Sequence, residues 1–146
     1  MIRRGHLEDF DILFKWINDE DVIRFSRYKK EMDLEEFNSW FDSKLDNLFV
    51  IEEDLVPLGQ VSFEVSGNGD EAIISYSVDR DERGRGYGKA LIHYIVNFIK
   101  ENRDDIKIVS AFISSDNEIS IKIFENEGFK REVEEDDYLK VTLSIR

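Results

Sequence analysis

Three glycines flanked by cations, Arg83-Gly84-Arg85-Gly86-Tyr87-Gly88-Lys89, follow an alternating stretch, Ile73–Val78, and precede an apolar helical run, Ala90–Lys100. Glycine lacks the Cβ that forbids positive φ, so it belongs where backbone turns sharply or meets a ligand at close range. A helix entered through such a turn points free N–H groups and the positive end of its dipole at it. The chemistry this suits is anion binding, with phosphate as the natural occupant. Charge-assisted hydrogen bonds contribute roughly 1.5–3 kcal/mol each, so several together hold a pyrophosphate. The competing reading is a helix-entry turn with no ligand.

Two familiar phosphate loops do not fit. A Walker loop ends in Gly-Lys-Ser/Thr, and here Lys89 is followed by Ala90. A dinucleotide fold places its glycines after the first strand, whereas these follow what reads as the fourth. What remains is Arg83-x-x-Gly86-x-Gly88, with Val78 ending the strand five positions before Arg83. A second group lies downstream. Asn117, Ser120, Ile121 and Phe124 stand at i, i+3, i+4 and i+7 and so share one helix face. Asn117 suits an N-cap and Phe124 a core position.

These residues need a scaffold, and the periodicities supply one. Ile2–Arg4 reads as a strand, and Phe10, Leu13, Phe14 and Ile17 set a helix ending near Asn18. A short helical piece covers Asp21–Phe25. Asp33 and Glu36 form a capping box ahead of an apolar stripe, Phe37, Trp40, Phe41 and Leu45. Leu48–Glu52 and Val56–Val65 are strands, with Pro57 at the start of the second, where a missing donor is tolerated. Val61, Phe63 and Val65 alternate with Gln60, Ser62 and Glu64, giving one buried and one polar face. Gly67-Asn68-Gly69 turns the chain back along Glu71–Val78. Lys89, His93, Asn97 and Lys100 form the polar stripe of the helix after the glycine loop, so His93 faces solvent. Ile106–Ile113 follows as a central strand parallel to the one before that helix. A helix then ends at Gly128, and Phe129–Val133 pairs with Tyr138–Ile145. The order is β-α-α-β-β-β-α-β-α-β-β, in one domain over residues 1–146.

Composition narrows the chemistry. The chain has no cysteine and only two histidines, His6 and His93, so thiol chemistry is excluded and no metal is expected. A net charge of −13 argues against nucleic acid, which needs a basic footprint. It also makes Arg83, Arg85 and Lys89 a local basic cluster in an acidic protein. No apolar run approaches twenty residues, and Met1 leads into charged residues rather than a signal peptide. A cytoplasmic protein with no membrane partner is the expectation.

The glycine turn resembles the acyl-CoA pyrophosphate loop of the GNAT superfamily of N-acetyltransferases, Arg/Gln-x-x-Gly-x-Gly/Ala. Asn117-x-x-Ser120-x-x-x-Phe124-Glu125-x-x-Gly128-Phe129 is similar to that family's Asn-x-x-Ala/Ser-x-x-x-Tyr-Glu-x-x-Gly-Phe. The element order matches the GNAT fold, an α/β (α+β) fold with a mixed, mostly antiparallel, splayed sheet. The resemblance implies acetyl-CoA between the strand ending at Val78 and Ile106–Ile113. It gives the Val78 backbone the thioester carbonyl, the stretch Arg83, Gly84, Arg85, Gly86, Tyr87, Gly88 and Lys89 the pyrophosphate, and Asn117, Ser120 and Phe124 the pantetheine side.

Phe124 departs from the family, where many relatives carry a tyrosine proposed to protonate the leaving thiolate. Water or the hydroxyl of Tyr76, Ser77 or Tyr138 is the substitute. Glu64, Tyr76 and Ser75 are the candidate bases or water-positioning groups. The segment Trp16-x-Asn18-Asp19…Val22-x-Arg24 resembles a branch containing ribosomal-protein N-terminal, polyamine and nucleotide-amino-sugar acetyltransferases. In that branch the early helices wall the acceptor pocket, which makes Trp16, Arg24, Tyr28 and Trp40 acceptor candidates beside a core-packing reading of both tryptophans. The implied acceptor is a small-molecule amine, a nucleotide-linked amino sugar ahead of a polyamine. A protein N-terminal acetyltransferase and a non-catalytic CoA-binding module are the alternatives, and self-association into a homodimer stays open.

Overall fold

Stretches with period-two alternation or β-branched content form one sheet, and the helical periods between them lay down its covers. A computed structural model of the chain describes residues 1–25 and 30–146. Strand β1 (Ile2–Arg4) and a 3-10 turn over Leu7–Asp9 lead into α1 (Phe10–Ile17), α2 (Glu20–Phe25) and α3 (Leu34–Lys44). Strands β2 (Leu48–Glu53), β3 (Val56–Val65) and β4 (Glu71–Val78) precede α4 (Tyr87–Asn102) and β5 (Ile108–Ser114). Helix α5 (Glu118–Asn126) and the hairpin β6 (Lys130–Glu134) and β7 (Tyr138–Ser144) complete the chain. The short piece after α1 is a true helix, so three helices rather than two precede β2. The capping box forms as expected, with Asp33 accepting from the Glu36 N–H at 2.8 Å.

The sheet order is β1-β2-β3-β4-β5-β7-β6, antiparallel except between β4 and β5. Those two pair through three positions only, Glu71 with Ile108, Ala72 with Val109 and Ile73 with Ser110. Beyond them β4 keeps its ladder with β3 as far as Val78, and β5 keeps its ladder with β7 as far as Ser114. The two strands therefore part company, and the sheet is split by a gap toward their C-terminal ends.

Two cores clamp the sheet from opposite faces. Strand β2 alternates between them. Phe49 and Ile51 join Leu91, Ile92, Ile95 and Ile99 under α4, while Leu48 and Val50 join Leu13, Trp16, Phe37 and Phe41 under α1 and α3. This second cover changes the reading of β3, whose polar face is not a solvent face. Gln60 is 7% exposed and Ser62 0%. Across the ladder Gln60 Nε2 donates to the Ser77 hydroxyl at 3.0 Å, and the Ser62 and Ser75 hydroxyls meet at 3.3 Å.

Candidate active site

The glycine loop starts where β4 ends. Asp79 accepts from the Asp81 N–H at 3.0 Å and caps a 3-10 turn over Arg80–Glu82. Gly84 and Gly86 follow with φ of +81° and +87°, and a Cβ at either would stand in open space. Gly86 is the left-handed N-cap of α4 and offers no side chain to its first N–H groups. The helix begins at Tyr87, earlier than the apolar run suggested, so Tyr87, Gly88 and Lys89 are its first turn. Those N–H groups and the dipole of a 16-residue helix face outward together. Gly88 answers a different need. A Cβ there would lie 2.9 Å from Tyr76 Cε2, so its absence lets α4 close on β4.

Ladder alternation fixes what lines the gap. Asp79 N–H bonds to Leu58 C=O and Ser66 N–H to Glu71 C=O, which puts the odd-numbered residues of β4 in the hydrogen-bonded pairs with β3. The backbone groups of Tyr76 and Val78 therefore point the other way, across the gap. The Val78 N–H has the direction expected of an oxyanion donor, and its C=O accepts from Arg83 Nε at 3.2 Å.

On the α4 side of the gap, the Tyr76 phenol and the Ser120 hydroxyl meet at 2.5 Å. Asn117 caps α5 by accepting from the Ser120 N–H at 3.2 Å. Burial pushes the Tyr76 phenol above its ordinary value, only partly offset by Ser120 and the Arg83 charge. Phe124 is 2% exposed, with its ring edge-on to Tyr76 and Phe129. It is a core residue here.

The cations of the loop are not equivalent. Lys89 is exposed on the first turn of α4, and Arg85 leans on Glu82 at 3.2 Å. Arg83 is turned away from the loop toward the α1–α2 connection, where Asp19 and Asp21 hold it at 3.1 and 3.0 Å. Asp19 entered the sequence reading only as part of Trp16-x-Asn18-Asp19, and its pairing with Arg83, like that of Asp21, spans more than sixty residues.

The proposed acceptor residues scatter. Trp16 is buried with its indole N–H on Asp79 Oδ2 at 2.8 Å, and Trp40 stacks on Phe37, so both pack. Arg24 is exposed, with its guanidinium over Phe25. Tyr28 lies outside the described residues. Glu64, a candidate base by sequence, lies far along the strand from Val78. It pairs with Ile73 at the closed end of the gap, five positions from the Val78 level, about 17 Å at a strand's rise. There it is exposed and bonded to Lys44 at 3.1 Å. Ser75 and Ser77 sit on the opposite face of β4 from Tyr76. Beside them Gln60 Oε1 is buried with no hydrogen-bond partner among the described residues, on what the alternation pattern gave only as a polar face.

A split sheet with an uncapped helix N-terminus at its mouth is the architecture of an acyl-CoA-dependent transferase. A family model described as an acetyltransferase (GNAT) domain matches residues 1–130, and the chain belongs to that family. Acetyl-CoA is the acetyl donor of these N-acetyltransferases. An N-acetyltransferase from Staphylococcus aureus Mu50 superposes with a TM-score of 0.84 at 23% identity, covering 100% of this chain and 98% of its own. YncA of Salmonella typhimurium, solved with its cofactor acetyl-CoA, gives 0.82 at 18% over 100% and 94%. Spermidine N-acetyltransferase from Vibrio cholerae, in complex with CoA and spermine, gives 0.81 at 15% over 99% and 94%. No curated protein matches the sequence significantly.

Proposed function

We propose that the chain acetylates a primary amine of low basicity on a small molecule, with the amino group of a nucleotide-linked sugar first among acceptors. One observation carries the choice of amine. The carboxylates bonded around the end of β4, Asp79, Asp19 and Asp21, are committed to Trp16, Arg80 and Arg83. Burial alone would raise Asp19, but the hydrogen bonds from Arg80 and Arg83 outweigh it and hold the group at about 2. A base that weak takes no proton from an ammonium. A lysine-like amine is neutral in roughly one part in two thousand at pH 7, whereas one with a pKa near 8 is neutral in about one part in ten. The site therefore suits an acceptor that arrives partly deprotonated.

The residues fit acetyl-CoA, which when bound supplies an activated acetyl thioester. The free N–H groups from Gly84 to Lys89 hold the pyrophosphate, helped by Lys89. The Val78 N–H receives the thioester oxygen, a donor placed before charge develops. Tyr76 keeps its proton at neutral pH and stands against Phe124, so it is the hydroxyl that serves the leaving sulfur. Ser75, Ser77 and Gln60 offer the acceptor a neutral polar floor.

A second acceptor class has support in the charge of the last hairpin. Glu132, Glu134, Glu135, Asp136 and Asp137 would attract a polyamine. A thiol-release assay at pH 8 over a panel of amines decides between them, with calorimetry of acetyl-CoA binding beside it. Turnover of a UDP-amino sugar with little salt dependence is the expected result. Efficient acetylation of spermidine, with a KM rising steeply with ionic strength and no turnover of the sugar nucleotide, reverses the order. Failure to bind acetyl-CoA at all sinks the assignment.

A further inference from the structure

The connection between α1 and α2 is tied to the end of β4 more tightly than an acceptor wall requires. Asp19 Oδ2 accepts from Arg80 Nε at 2.9 Å, and its Oδ1 from Arg83 Nη2 at 3.1 Å. Asp21 accepts from Arg83 Nη1 at 3.0 Å. The third edge of the Arg83 guanidinium, its Nε, reaches the Val78 carbonyl at 3.2 Å. The Val78–Asp79 peptide is thus held at both poles, since the Asp79 N–H donates to Leu58 at 2.8 Å. Trp16 bonds to the Asp79 carboxylate beyond it. Asn18, next to Asp19, accepts from the Met32 N–H and donates to the Met32 C=O, at 2.8 and 3.0 Å. The Asp19 side chain is only 14% exposed, so its bonds are poorly screened by solvent.

In this arrangement Arg83 is a weak candidate for a phosphate cation. It and Arg80 face the carboxylates of Asp19, Asp21 and Asp79, and the cluster has no positive charge to spare. Its remaining use is mechanical. An arginine presents its donors in a fixed plane, so fixing two of them on carboxylates fixes the direction of the third.

We propose that Asp19 is a positioning residue for acetyl transfer, acting through Arg83 to fix the Val78 carbonyl. The Val78 N–H belongs to the preceding peptide, whose Ser77 carbonyl lies in a hydrogen-bonded pair with Gln60, so locking the Val78–Asp79 peptide as well leaves that N–H no freedom to turn at the gap. This rests on the reading in which that N–H receives the thioester oxygen. A donor of this kind works only when its geometry is set in advance, and misplacement by 1 Å can cost about a hundredfold. The same bonds make the acceptor-side helices and the donor one rigid unit.

The test uses the full chain with Asp19→Asn, which preserves shape and one acceptor oxygen, Asp19→Ala, and Arg83→Lys, which keeps charge but loses the fork. The first readout is the ¹⁵N–¹H resonance of Val78 with CoA and then acetyl-CoA bound. In the wild type the acetyl group should move it, and in Asp19→Ala and Arg83→Lys that response should be lost while CoA still binds. The second is kinetic. We expect kcat to fall about tenfold or more in Asp19→Ala with CoA affinity within about threefold of wild type, and no further loss on adding Arg83→Ala. Asp19→Asn should lie between, and it carries the test if Asp19→Ala does not fold. An acetyl-dependent Val78 response retained in Asp19→Asn and Arg83→Lys, with kcat unchanged, overturns the inference alone. A wild-type Val78 resonance indifferent to the acetyl group removes the oxyanion reading and the inference with it.

Discussion

A carboxylate held near pKa 2 is a poor base but a durable structural anion, and Asp19 carries that role into stability. Its pKa lies below the ordinary 3.8, so the stabilisation is complete above about pH 5 and fades as pH falls toward 2. The shift corresponds to roughly 2 kcal/mol. Urea unfolding of wild type and Asp19→Asn should differ by about that much at pH 7 and converge near pH 2, and a difference that persists there contradicts the assignment. Tyr76 shifts the opposite way. Burial raises its phenol further above the neutral range, which fits the donor role proposed for it rather than that of a base. Tyr76→Phe should lower kcat by about a hundredfold, the low end for a general acid, while acetyl-CoA affinity changes little. An unchanged kcat would leave water as the proton source.

Among the elements, the loop and α4 separate two uses of glycine. Gly86→Val places a β-branched residue at φ +87°, costing roughly 1–2 kcal/mol, and sets a side chain beside the N–H groups proposed to receive the phosphates. Acetyl-CoA affinity should collapse, measured by calorimetry, whereas Arg83→Ala should weaken it far less. Gly88→Ala instead forces a methyl to 2.9 Å from the Tyr76 ring. It should destabilise by about 1–3 kcal/mol in denaturant melts. The sequence made much of this legible. The glycine loop, the Asp33 cap, the alternation of β2 to β4 and the helical face of α5 are local patterns, and local patterns survive in a string of letters. The start of α4 at Tyr87 did not, because glycine in a first helical turn reads as loop. Nor did the burial of Gln60 and Ser62, since alternation tells polar from apolar but not whether a second layer of helices covers the polar side. The Asp19, Asp21, Arg80 and Arg83 network was invisible for a simpler reason. Its halves are joined only by the fold.

At the scale of the whole molecule, two cores grip a sheet that is paired across its middle at three positions. Phe124 belongs to the larger core and bridges α5 to Tyr76 and Phe129. Phe124→Ala should cost about 3–5 kcal/mol of stability, a size no role confined to ligand contact would give. The parting of β4 from β5 has a further consequence. A split sheet owns two interior edges as well as two outer ones, and an edge is unfinished hydrogen bonding. A long, amide-bearing guest lying in the split would serve as an eighth strand, and the protein would be completed as a β-structure only while working. The Tyr76 and Val78 amides should therefore exchange with deuterium readily in the free protein and slow on acetyl-CoA binding, while amides of the β2–β3 ladder, already zipped, keep their rates.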